Sequence, residues 1–155
     1  MEGAFRKIDV DIYDEDVLQE HELYEPDSRD PAAVLDDARA KQTSVRSALN
    51  KGDTVSALSL ALSDYPFGLN VDDAKVIALQ VVLSILNTTK STDIPNVLKA
   101  LTPEQHDVLM KYIYKGMASS GSDVNGNILL DWHEKLTEIA GLGCIVRTMT
   151  DRKTV

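Results

Sequence analysis

The first thirty residues most restrict what this chain can fold into, because they carry nearly all of its charge and cannot join a core. Between Met1 and Asp30 there are eleven Asp or Glu residues against Arg6, Lys7 and Arg29, so this stretch holds −8 of a formal net charge of −9. Residues 31–155 are nearly neutral. Phe5, Ile8, Val10, Ile12, Tyr13, Val17, Leu18, Leu23 and Tyr24 are threaded through the acidic run. A segment with scattered apolar anchors and too much like charge to collapse on itself folds only against something else. Residues 1–30 therefore read as an extended acidic arm that binds a partner, and residues 31–155 as a core domain. Removing residues 1–28 is expected to leave that domain intact.

With the arm set aside, the remaining ~125 residues suffice for one compact domain that buries roughly two-thirds of its chain surface. The single cysteine, Cys144, excludes an internal disulfide and suits a reducing compartment. No apolar run approaches the roughly 20 residues needed to cross a bilayer, and the first residues lack the basic-then-apolar order of a secretion signal. The expected location is cytoplasmic, with no membrane contact. A sequence pI near 4.7 argues against nucleic acid, whose phosphates the arm would repel.

After residue 30 the punctuation is that of successive short helices. Asp30-Pro31 supplies a cap and a first-turn proline, and Val34, Leu35, Ala38, Val45, Ala48 and Leu49 recur near helical spacing until Gly52. Asp53 caps a second helix with Val55, Leu58, Ala61 and Leu62 inward. The third, about Asp73 to Asn87, is apolar on most sides and is expected at the centre of the domain. A short helix near Ile94 to Leu101 precedes Thr102-Pro103-Glu104-Gln105, a capping box with proline at the first helical position. The helix it opens has one face of Leu109, Tyr112, Ile113 and Gly116 and a second of Met110, Tyr114 and Met117. Ile128, Leu129, Trp132, Leu136, Ile139 and Ala140 mark a sixth helix ending at Gly141, and Gly143 to Met149 a seventh. With no alternating strand pattern, the fold class is all-α, about seven short helices as an α-α superhelix or irregular bundle behind the acidic arm.

The patterns that mimic chemistry fail on inspection. Asp123, Asn125, Asn127 and Glu134 have calcium-loop spacing, but Ile128 stands where the sharp turn needs glycine. Asn125-Gly126 reads better as a turn and helix cap. Asp9, Asp11, Asp14 and Glu20 imitate the same loop with Asp14 at the glycine position. His133-Glu134 opens like a zinc-protease helix, but Thr137 stands where the second histidine belongs. No residue context makes Cys144 a nucleophile, and Gly141-Leu142-Gly143 is a helix stop, not a phosphate cradle. No catalytic set, metal site or cofactor is expected, and the chain reads as a non-enzyme. What remains is surface: Met110, Tyr114 and Met117 are candidate partner contacts, since aromatic and methionine side chains bury large area at small entropic cost.

Four separated motifs then become recognisable in order: Phe5-Arg6-Lys7-Ile8-Asp9-Val10-Asp11 with Tyr13-Asp14-Glu15; Leu109-Met110-Lys111-Tyr112-Ile113-Tyr114-Lys115-Gly116; Trp132-His133-Glu134-Lys135; and Ile145-Val146-Arg147 with Arg152-Lys153-Thr154-Val155. Together they resemble subunit five, the smallest-subunit family of the actin-nucleating Arp two/three complex. The resemblance runs from the arm to the last residue, with residues 17–45 its least similar part. It implies a non-catalytic member of a seven-protein assembly that binds the side of an actin filament and starts a branch. It implies that the helical core sits on the propeller subunit and on subunit four while the arm crosses to an actin-related protein. ATP would belong to the actin-related subunits. Matching residues of the arm, Phe5, Ile8, Val10 and Tyr13, would insert into partner pockets, with Arg6 and Lys7 available to carboxylates. The competing reading is a free-standing helical adaptor whose arm is a linear binding motif.

Overall fold

The computed structural model describes residues 18–119 and 125–155. Seven α-helices follow a short 3-10 turn at Glu20–Leu23: α1 Pro31–Asn50, α2 Thr54–Leu62, α3 Asp72–Thr88, α4 Ile94–Lys99, α5 Pro103–Ala118, α6 Gly126–Ala140 and α7 Leu142–Thr150. No strand occurs among the described residues, and the all-α reading holds. Residues 1–17, with the candidate contacts Phe5, Arg6, Lys7, Ile8, Val10 and Tyr13, lie outside the described residues, as do Asp123 and the loop around it.

The helix boundaries follow local chemistry. Asp30 accepts a hydrogen bond from the Ala33 amide, with Pro31 in the first turn of α1, and Asp53 accepts from Ser56. Thr102 and Gln105 form the reciprocal capping box: the Gln105 amide donates to Thr102 Oγ1 at 3.3 Å and the Thr102 amide donates to Gln105 Oε1 at 3.1 Å. Asn125 caps α6 through the Asn127 amide. Gly141, at φ +76°, ends α6 in the left-handed region, which costs a glycine little, and α7 starts at once.

These helices pack as an irregular bundle around α5, which touches α2, α3, α6 and α7. Eight of its sixteen residues are buried: His106, Val108, Leu109, Met110, Lys111, Tyr112, Ile113 and Gly116. The sequence places α3 at the centre, and the structure divides that role. The second half of α3, from Val81 to Leu86, is core, whereas Val76 in its first half is 53 % exposed. Apolar circumference alone does not tell a helix ringed along its length from one whose first turns emerge at the surface. Gly116 lets α5 approach its neighbours, since a Cβ there would lie 2.9 Å from Leu83 Cδ2 and 3.3 Å from Leu129 Cδ1. Trp132 on α6 is fully buried and its indole N–H donates to the Leu86 carbonyl at 3.2 Å, which ties α6 to α3 without leaving a polar atom orphaned. His106 Nε2 donates to the Leu98 carbonyl at 2.8 Å and joins α5 to α4.

Lys111 is the exception in this apolar centre. Its side chain is 6 % exposed, and its ammonium donates to Asp151 at 2.6 Å, to the Lys153 carbonyl at 2.9 Å and to the Tyr65 hydroxyl at 3.1 Å. A buried ammonium is tolerable only when its three protons find acceptors, and here all three do. Burial alone would raise the Asp151 carboxyl, but Lys111 and the Lys153 amide hold it below the usual carboxylate range. The C-terminal tail is thereby fixed to α5.

Candidate docking surfaces

Helix α7 has a single fully inward residue, Cys144, which burial above all, and the neighbouring Asp107 carboxylate, push up to about 12, so that it stays a protonated thiol. At about 100° per residue, Leu142, Val146 and Met149 cluster on the side of the helix opposite Cys144. They are 71 %, 61 % and 63 % exposed, a run of large apolar side chains in solvent. The orientation is pinned rather than free. Arg147 grips Asp107 of α5 with two hydrogen bonds, Nε to Oδ2 at 2.6 Å and Nη2 to Oδ1 at 2.8 Å, and Thr148 Oγ1 donates to the Asp107 carbonyl. The stripe is held outward by the fold, with no neighbouring element over it among the described residues, and is a candidate docking face.

The other candidates distribute differently. Met110 is 0 % exposed and belongs to the core, so it is no surface contact in this structure: the domain itself uses the first apolar face of α5 and the Met110 end of the second. Tyr114 is half-buried, its hydroxyl hydrogen-bonded to His133 Nε2 at 3.0 Å and its ring edge-on to the imidazole at 5.4 Å. That contact gives His133 a packing role at the α5–α6 seam. Met117 is 38 % exposed and is the one of the three that offers real area. The α7 stripe is the surface that sequence reasoning missed. The signal was present as Leu142, Val146 and Met149 at i, i+4 and i+7, hidden because Cys144 and Ile145 make the whole segment look apolar.

The last part of the acidic segment lies on the domain. The Glu25 amide donates to the Arg152 carbonyl at 3.0 Å, Arg152 Nη2 donates to the Glu22 carbonyl, and Lys153 pairs with Glu25 at 3.4 Å. Asp27, whose side chain is 3 % exposed, takes a forked contact from Arg29, and Arg29 also donates to the carbonyls of Asp64 and Tyr65. The Arg29 side chain holds the Asp27 carboxyl below the usual carboxylate range against the opposing effect of burial. Phe67 receives two cations over its ring, Arg29 at 5.8 Å and Lys153 at 5.0 Å. Residues 22–29 thus touch the helical body, Glu22 and Glu25 at Arg152 and Lys153 and Arg29 at Asp64, Tyr65 and Phe67.

Among the described residues no group of three or more His, Cys, Asp or Glu side chains is placed to hold a metal ion. No described helix is long and apolar enough to cross a membrane. A helical body with a pinned apolar stripe at its surface has the form of a protein-interaction subunit. Over residues 4–155 the chain matches the family described as the ARP2/3 complex 16 kDa subunit (p16-Arc), and it belongs to that family. It is 38 % identical over 153 residues to actin-related protein 2/3 complex subunit 5-C of Xenopus laevis, covering 99 % of this chain and 95 % of that one. It is 33 % identical over 157 residues to actin-related protein 2/3 complex subunit 5 of Saccharomyces cerevisiae, covering both chains in full. A human relative, the subunit 5-like protein, is 33 % identical over all of this chain and 97 % of its own length.

Proposed function

We propose that this chain is a non-catalytic structural subunit of the actin-related protein complex that nucleates branched actin filaments, working in the cytoplasm at the actin cytoskeleton. Its helical core docks on the propeller subunit and subunit four, and its N-terminal segment tethers an actin-related subunit. The observation that carries this reading is similarity to named subunits of that complex along the entire chain, from the arm motif at Phe5 to the tail. Two physical features support it. The N-terminal segment carries net charge far out of proportion to its length and has apolar anchors spaced for contact, the composition of a chain that orders on a partner. The α7 stripe supplies the core with a face that water does not suit.

A tether of this kind raises the local concentration of a mobile subunit without a large interface of its own. Phe5, Ile8, Val10 and Tyr13 would supply the anchoring area, with Arg6 and Lys7 facing carboxylates. The acids Asp9, Asp11 and Asp14 would act mainly on association rate.

The core half of the proposal is tested at α7. Val146→Asp combined with Met149→Asp should leave the melting temperature within a few degrees, because exposed substitutions change stability by about 0.5 kcal/mol or less each. The same variant should fail to enter the assembly when the complex is reconstituted. Unimpaired incorporation would remove α7 from the docking surface.

A further inference from the structure

We propose that residues 22–29 form a releasable strap, whose docking on the C-terminal tail sets how much chain is free to act as the tether. The strap lies between two fixed bodies. On one side, residues 151–153 are held to α5 by Lys111, through Asp151 and the Lys153 carbonyl, and the tail is turned on itself by the Lys153 amide donating to Asp151 at 2.9 Å. On the other, Gly68 leaves room for the strap backbone: at φ +82°, a Cβ there would stand 2.8 Å from the Glu25 carbonyl oxygen and 2.9 Å from the Asp27 nitrogen. The strap passes through this slot and is joined to the tail at Glu22 and Glu25.

What holds the strap is narrow. The Lys153–Glu25 pair is 38 % and 49 % exposed, and pairs so open to water contribute between nothing and about 1 kcal/mol. Leu23 is 49 % exposed and Tyr24 only partly buried, so no fully buried side chain anchors the first half of the strap. The fit at Gly68, the two hydrogen bonds to Arg152 and the hydrogen bonds of Arg29 to the Asp64 and Tyr65 carbonyls carry the attachment. A segment with few buried apolar contacts opens at low free energy while the body it rests on stays closed. Opening adds eight residues to the tether, about 25–30 Å of extended reach. Lys111, deep in α5, is a positioning residue for the strap because it fixes the tail on which the strap lies.

The functional part of this inference rests on the tether reading, but its test does not. Hydrogen exchange read by mass spectrometry on the full-length chain, alone and within the assembly, reports strap opening directly. In the unaltered chain, peptides covering residues 22–29 should be protected, less so than those of α5. Gly68→Ala, which closes the slot, should speed strap exchange at least tenfold, and Arg152→Ala, which removes the exposed donor to the Glu22 carbonyl, should speed it a few fold, while α3 and α5 exchange within about twofold of the unaltered chain. The proposal is overturned if the unaltered strap exchanges as fast as unstructured peptide, if neither variant changes its protection, or if protection in α5 falls in step with the strap. Failure of the tether reading would register elsewhere, as an actin-related subunit retained equally well without residues 1–17.

Discussion

Val82→Asp is expected to unfold the domain. Val82 is 0 % exposed on the core side of α3, within the main apolar cluster. A carboxylate there has no partner, and stranding a polar or charged group costs several kcal/mol, comparable to the 5–15 kcal/mol that holds a domain of this size together. Circular dichroism should report lost helix at room temperature. The companion substitution Val76→Asp, one and a half turns earlier on the same helix but 53 % exposed, should shift stability by only about 0.5 kcal/mol. The pair tests the division of α3 into a buried second half and a first half that buries Ala74 but turns Val76 to solvent. Equal damage from both would mean that α3 is ringed along its length.

Deletion of residues 1–17 is expected to leave thermal stability unchanged, and deletion of residues 1–28 to lower it. The longer deletion removes the Glu25 and Glu22 contacts to Arg152, strips Lys153 of Glu25, and takes Asp27 from Arg29. Hydrogen bonds and partly exposed pairs of this kind sum to about 1–3 kcal/mol, which corresponds to roughly 3–10 °C in a domain of this length. Equal melting temperatures for the two truncations would show that the strap adds nothing to the fold. The chain would then have a tether without a latch.

How much of this was legible depends on the range of the interaction. Caps and stops are local: Asp30, Asp53, the Thr102–Gln105 box and Gly141 place their helix ends within a residue or two, because their chemistry is complete within one turn. The face of α5 was not legible in the same way. Met110 and Tyr112 are both buried because other helices and the tail surround the helix, and spacing counts apolar positions without telling a partner subunit from the domain's own neighbours. The strap was invisible for a different reason. Its attachments are hydrogen bonds to backbone carbonyls and a glycine slot between segments far apart in sequence, and neither Glu22 nor Arg152 carries a local mark of the other. Lys111 left a faint signal, a lysine between Met110 and Tyr112 on a helix apolar over more than half its circumference, where an ordinary surface lysine does not belong.

The central claim is that this chain works as a part of the actin-nucleating assembly, held by its core and reaching by its arm. The most direct measurement is size-exclusion chromatography of native extract followed by mass spectrometry of the fractions, for the full chain and for the chain without residues 1–17. The account predicts that the full chain elutes far above its own 17.0 kDa together with the other subunits, and that the truncated chain keeps the propeller subunit and subunit four while losing much of an actin-related protein. Elution of the full chain as a free monomer, or with partners unrelated to actin, would contradict it.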